Sequence, residues 1–215
     1  MTLGATPTRL LDAAEELIAR NGPARTSVRD VLRLAGVGNA AAVGYYFGGK
    51  EALVAAVERR VVDAVIAERE LSLRRLADVP AVDGLVDAWV RPIVELRCAG
   101  RGRYAARVFA RIFEAPPERW EANGAAATRA LALRYCAAAA PVLPHLDERE
   151  LTWRWQCVTA TTDFYAIGAL DFGEPAPGAA QVDEHVRRLV VPGSALLRAP
   201  ASRDLRDVEV SRAAG

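Results

Sequence analysis

The chain has 215 residues, is 52% apolar and carries a formal net charge of +1. That composition excludes disorder as the default, and the near-neutral charge excludes a molecule drawn as a whole to polyanions, so any such site must be a local arrangement. The length suits one substantial core or two small coupled domains.

The opening RLLDAAEELIARNG places Arg9, Asp12, Glu15 and Glu16 where a signal peptide would need apolar residues. No uncharged apolar run is long enough to cross a bilayer, and the aromatic stretch near Trp155 is interrupted by Asp163. Cys98, Cys136 and Cys157 are odd in number, with no CxxC and no histidine at metal spacing. They read as buried thiols in a reducing compartment. The expectation is a cytoplasmic protein with no membrane partner, no metal and no cofactor.

Apolar residues recur at three and four throughout, the pattern of an all-α chain. The first helix carries Leu10, Leu11, Ala14, Leu17 and Ile18, with Thr6-Pro7 as its expected cap and Asn21-Gly22-Pro23 as its stop. The second opens at Ser27, with Asp30 at capping-box spacing, and ends at Gly36. A third is expected from an Asn39 cap to Phe47, followed by a Gly48-Gly49 break. From Lys50 a long helix runs to about Ala77. Further helices are expected at about 82–98, 103–114, 118–140, 147–170 and 181–198, with a kink at Pro92 and a break at Pro192-Gly193. These elements divide into residues 1–49, residues 50–198 and a disordered tail at 199–215.

TSVRDVLRLAGVGNAAAVGYYF, residues 26–47, has the length and glycine punctuation of a helix-turn-helix. Alanines suit a recognition helix, because its backbone must approach base edges and thymine methyls closely. Asn39, Ala40, Ala41 and Gly44 are then candidate base-proximal residues. Tyr45 and Tyr46 are candidate phosphate donors, and Phe47 turns inward. Lys50 at one helix N-terminus, and Arg25, Thr26, Ser27 and Arg29 at another, would clamp a DNA strand. Modest charge per module favours a dimer on two half-sites. GYYFGGK also fits GxxxxGK, but Glu51 stands where a Ser or Thr should hold magnesium, and no strand precedes it.

These residues resemble the DNA-binding domain of the TetR family of bacterial transcriptional regulators, over roughly residues 8–57. The resemblance lies in T-hydrophobic-R-[DE] ending in AGV, an aromatic helix end, and G-K-E-x-L. Tyr46 stands where histidine is commonest, Gly49 where a capping serine is frequent, and Gly44 where a larger residue is common. The stretch from Val37 to Tyr45 is one residue longer than usual.

The resemblance implies an N-terminal three-helix DNA-binding domain joined to a larger helical ligand-binding and dimerisation domain. It also implies a double-stranded DNA operator and a small-molecule effector as partners. Trp89, Tyr104, Phe109, Phe113, Trp120 and Tyr135 are candidate pocket residues. Cys157, Ala160, Thr161, Phe164, Gly168 and Val186, on the helices at 147–170 and 181–198, are the candidate homodimer face. Neither His145 nor His185 has a placeable nucleophile or carboxylate partner, so no enzyme is expected. The alternative is a helical small-molecule-binding protein whose helix-turn-helix no longer works on DNA.

Overall fold

The computed structural model describes residues 4–100, 102–114, 121, 124–170 and 177–201. Among these residues it is all-α, with no strand. The helices are α1 (Ala5–Asn21), α2 (Val28–Ala35), α3 (Ala42–Phe47), α4 (Lys50–Arg74), α5 (Val82–Cys98) and α6 (Gly102–Arg111). They continue with α7 (Ala125–Ala139), α8 (Glu148–Ile167) and α9 (Val182–Arg198).

The first three helices and the start of α4 close around Leu10, Ala14, Ile18, Val31, Val43 and Leu53, all buried. α4 then carries Val61, Val62 and Val65 into the C-terminal body. There α5 is the central helix. Val82, Leu85, Val86, Trp89, Val90, Ile93 and Val94 bury faces all around it, as expected for a helix enclosed by others. Helices α4, α6, α8 and α9 pack against it, and α7 meets it beside α4.

Several boundaries differ from the sequence expectation. Helix α1 begins at Ala5 with Gly4 as its cap, not with Thr6. Pro7 sits within the first turn, where its missing N–H costs nothing. Helix α3 begins at Ala42 rather than Asn39, and residues 39–41 form a turn closed by Ala42 N–H to Asn39 O at 3.1 Å. The segments 115–120 and 172–176, with Trp120, Pro116 and Pro117, lie outside the described residues.

Neither internal proline ends a helix. α5 runs unbroken past Pro92, whose absent N–H deprives the Ala88 carbonyl of its helical partner. The Tyr135 hydroxyl lies 3.3 Å from that carbonyl while donating at 2.6 Å to Arg69 O. α9 likewise continues through Pro192-Gly193 to Arg198. Gly193 is a packing residue, since a Cβ there would come within 3.1 Å of Val86 Cγ1. An interior proline costs about 3 kcal/mol. Burying Leu189 and Leu197 on either side contributes about 2 kcal/mol each, so packing wins.

The chain after α9 is tied down at its start. Arg154 donates to the carbonyls of Leu196, Ala199 and Pro200 at 2.9, 2.6 and 2.6 Å, and Ala201 is buried. The expected disordered tail therefore does not begin at residue 199; residues 202–215 lie outside the described residues.

Candidate nucleic-acid interface and effector cavity

Ser27 caps α2, its hydroxyl oxygen accepting from the Asp30 N–H at 3.1 Å. Gly36 ends the helix in the left-handed conformation at φ +64°. The Val37 N–H then returns to Leu32 O at 3.0 Å, a closure that glycine makes cheap. Val37 packs against the core and fixes the angle at which the chain enters α3. On α3, Ala42 and Val43 are buried, which leaves Gly44, Tyr45 and Tyr46 facing outward. Tyr45 is 82% exposed and Tyr46 45%, their rings edge to face at 4.9 Å.

Asn39, Ala40 and Ala41 are exposed in the preceding turn. The Asn39 side chain is engaged there, Oδ1 accepting from the Ala41 N–H at 3.0 Å. Gly44 has nothing within 4 Å of the Cβ it lacks, so no neighbour among the described residues requires a glycine. Gly49 is different. Its φ of +146° strains any L side chain, so the cap of α4 is set by conformation where a serine would have supplied chemistry.

Lys50 opens α4, and its Nζ donates to Ala24 O at 3.2 Å. That contact draws the ammonium to the α1–α2 turn, next to exposed Arg25. Arg29 and Arg33 are also exposed on α2. Lys50, Arg25, Arg29 and Arg33 stand here with two acids, Asp30, which is paired with Arg33 at 2.7 Å, and exposed Glu51 beside Lys50. Sequence reasoning passed over Arg33, whose i−3 acid hid its position at the edge of the face. Thr26 corrects the expectation in the other direction. It is 3% exposed and its hydroxyl donates to Gly22 O at 2.9 Å, so its side chain supports the turn and is not free for phosphate.

The second feature is a cavity of about 240 Å³ between α7 and α8. Trp89, Phe113 and Trp155 supply aromatic wall, Ala132 and Ala160 supply small apolar wall, and Asp163 is the acid. Among the described residues, Asp163 Oδ1, the Trp89 and Trp155 indole nitrogens and Arg69 Nη1 and Nη2 are buried with no hydrogen-bond partner. Behind Trp89 lies fully buried Arg69, its guanidinium carbon 3.7 Å from the ring centroid and its Nε donating to Trp89 O at 2.9 Å. Burial pushes the Asp163 carboxyl up to about 7, against the pull of Arg69. Burial also lowers the Arg69 guanidinium to about 10, against the pull of Asp163 and then Tyr135.

Of the expected pocket residues, Trp89 and Phe113 line this cavity. Tyr135 lies behind the wall, 5.5 Å from Trp155 between ring centroids. Phe109 is buried on α6, edge to face with Phe113 at 6.1 Å. Tyr104 is elsewhere, accepting from Arg20 of α1 at 2.8 Å. Trp120 lies outside the described residues. Asp163 was missed as a pocket residue. The available signal was the α8 stripe Thr152, Trp155, Thr159, Asp163, an acid on an otherwise aromatic and small-residue face.

On the outer side of α8, Trp153, Thr161 and Phe164 are exposed and Cys157 and Gly168 half-buried, while Ala160, also exposed, stands on the cavity side. Gly168 forms the left-handed cap that ends α8, at φ +84°. Val186 does not belong with them. It is 1% exposed within the single chain and has no surface left for a partner. Val191 and Leu196 are the exposed apolar residues of α9.

Residues 10–57 match the model of bacterial regulatory proteins of the tetR family, and residues 87–192 match the tetracyclin repressor-like C-terminal domain. No curated protein matches the sequence. Among solved structures, a tetR-family regulatory protein from Rhodococcus RHA1 is similar over 91% of this chain and 98% of its own, at 17% identity and a TM-score of 0.69. The fatty acid degradation regulator FadR from Bacillus halodurans covers 93% of this chain and 97% of its own, at 14% identity and a TM-score of 0.68. SmeT, the repressor of a Stenotrophomonas maltophilia multidrug efflux pump, covers 89% and 88% respectively, at 23% identity and a TM-score of 0.60. At these identities the likeness is one of fold. Both family models and these neighbours agree with the helix-turn-helix geometry and the all-helical body: the chain belongs to the TetR family of bacterial transcriptional regulators.

Proposed function

We propose that the protein is a homodimeric repressor that binds a palindromic operator through residues 1–49 and is released when a small molecule enters the body formed by residues 50–198. The observation that carries the DNA reading is the outward face of α3. Two tyrosines project from a short helix whose other exposed position is Gly44, with exposed Ala40 and Ala41 in the preceding turn, beside Lys50, Arg25 and Arg29. Hydroxyls and cations around a bare helix suit phosphate contacts that position the helix while its backbone nears the bases.

Release follows from the packing. Phe113 lines the cavity and touches Phe109 of α6. α6 meets α1 through the Arg20–Tyr104 hydrogen bond. α4 meets α1 through Arg60, which pairs with Asp12 at 2.8 Å and Glu15 at 2.6 Å. An effector that displaces Phe113 would therefore shift α6 and α4 together against α1, change the separation of the two reading heads and favour a wrong half-site spacing. Dimerisation through the exposed apolar residues of α8 and α9 would set that separation near one DNA turn, roughly 34–36 Å. Among the described residues no group of three or more metal-ligating side chains occurs and no helix is long and apolar enough to cross a membrane. Membership of the family, rather than these absences, supports action by binding in the cytoplasm without turnover.

Selection from random duplexes at near-physiological salt tests this, with Tyr46→Phe and Lys50→Ala alongside. Enrichment of a palindrome is expected. Loss of one charge-assisted hydrogen bond in Tyr46→Phe should weaken it roughly tenfold. In Lys50→Ala the log–log salt slope should shrink by roughly one. No enrichment at any salt would leave a small-molecule-binding protein with a silent reading head.

A further inference from the structure

From Gly38 to Gly44, Asn39 is the only residue whose side chain can form a hydrogen bond. We propose that Asn39 selects one base of each half-site, that it does so as a hydrogen-bond donor, and that the base is guanine. This rests on α3 being the helix that enters the major groove.

The turn before α3 fixes how the Asn39 amide stands. Its Oδ1 accepts from the Ala41 N–H at 3.0 Å, and the Asn39 carbonyl accepts from the Ala42 N–H at 3.1 Å. A backbone N–H can be met only by the oxygen of an amide, so this contact assigns the two ends. The oxygen is held to the chain, and the amine, with its two donors, is the end left for another molecule. Asn39 is exposed, and the N-terminal end of a recognition helix is the part that reaches base edges.

An unrestrained asparagine pairs with adenine, accepting from N6 and donating to N7. That pairing needs both ends of the amide on one base edge. Here the oxygen already carries the Ala41 N–H and the turn sets its position, so it is the poorer partner for N6. Guanine asks nothing of it. Its major-groove edge presents two neighbouring acceptors, N7 and O6, which suit an amine alone. Thymine presents one acceptor beside its methyl, and cytosine only a donor. Ala40 and Ala41, both exposed, can add contact with a thymine methyl next to the guanine but no hydrogen bond from a side chain.

Selection from random duplexes with the full chain tests this, comparing the native protein with Asn39→Asp and Asn39→Ala. Aspartate can accept from the Ala41 N–H as asparagine does, so it keeps the turn while placing an acceptor where the amine stood. The native chain should enrich guanine at one position of each half-site. Asn39→Asp should replace it with cytosine, whose exocyclic amine donates, and Asn39→Ala should relax that position alone. Putting 7-deazaguanine, which lacks the N7 acceptor, at that position should weaken the native protein roughly tenfold and leave Asn39→Ala unaltered. Asn39→Asp carries the test even if Asn39→Ala loosens the turn. Adenine at the position that Asn39→Ala relaxes, or the same base preferences in all three proteins, would overturn the proposal while the selected operator upholds the regulator. If none of the three enriches any duplex, the reading head fails and the role of Asn39 fails with it.

Discussion

Gly44 occupies an exposed turn of α3 with open space where its side chain would be, although glycine there costs up to about 1 kcal/mol against alanine. Gly44→Ala should therefore raise the thermal midpoint and weaken operator binding, because the added methyl stands on the face that nears DNA. A raised midpoint with unaltered operator affinity would remove close approach as the reason for the glycine. Asp163 makes a second prediction at this scale. Its carboxyl is raised from 3.8 to about 7 in the fold, mainly by burial. Between those values the native state holds a proton that the unfolded chain has released, so stability falls as pH rises towards about 7 and is level above it. The midpoint of Asp163→Asn relative to the native chain should accordingly climb from pH 5 to pH 8. A gap independent of pH would show that Asp163 is solvated in solution.

At the scale of elements, helix ends and interruptions depend on partners distant in sequence. α9 survives its internal proline through packing on α5, and its C-terminal carbonyls are collected by one guanidinium from α8. Arg154 is buried, pairs with Glu150 at 2.8 Å and reaches three carbonyls. A lysine has the charge but not the planar fork. Arg154→Lys should cost about 2–3 kcal/mol in denaturant unfolding and expose the chain after Arg198 to protease. A loss under 0.5 kcal/mol would mean that the clamp does not persist in solution.

For the whole molecule, the proposed homodimer rests on the outer face of α8 and α9. Phe164 is 55% exposed and Trp153 64%, with Val191 and Leu196 on the neighbouring helix. Large apolar side chains grouped on one face of a chain of this size mark an interface. Phe164→Arg should convert a dimer in sedimentation into a monomer at micromolar concentration and abolish binding to a palindrome while sparing the fold seen by circular dichroism. A variant that remains dimeric would move the interface elsewhere.

Much of this protein is written in local sequence. Ser27 and Asp30 fix the start of α2, Gly36 its end, and the break before Lys50 needs the two glycines, because capping and left-handed turns are settled within a few residues. The helical body and the reading head were legible for the same reason, since periodicity records which face each helix buries. Tertiary structure alone decided the rest. It buried the Thr26 hydroxyl against Gly22 and Val186 within the chain, and drew Lys50 to the Ala24 carbonyl. It also carried two prolines through intact helices and placed Asp163, from α8, within electrostatic reach of Arg69 of α4. Each of these depends on groups far apart in sequence, whose burial and pairing energies exceed any local preference, and no local pattern encodes which distant partner will arrive.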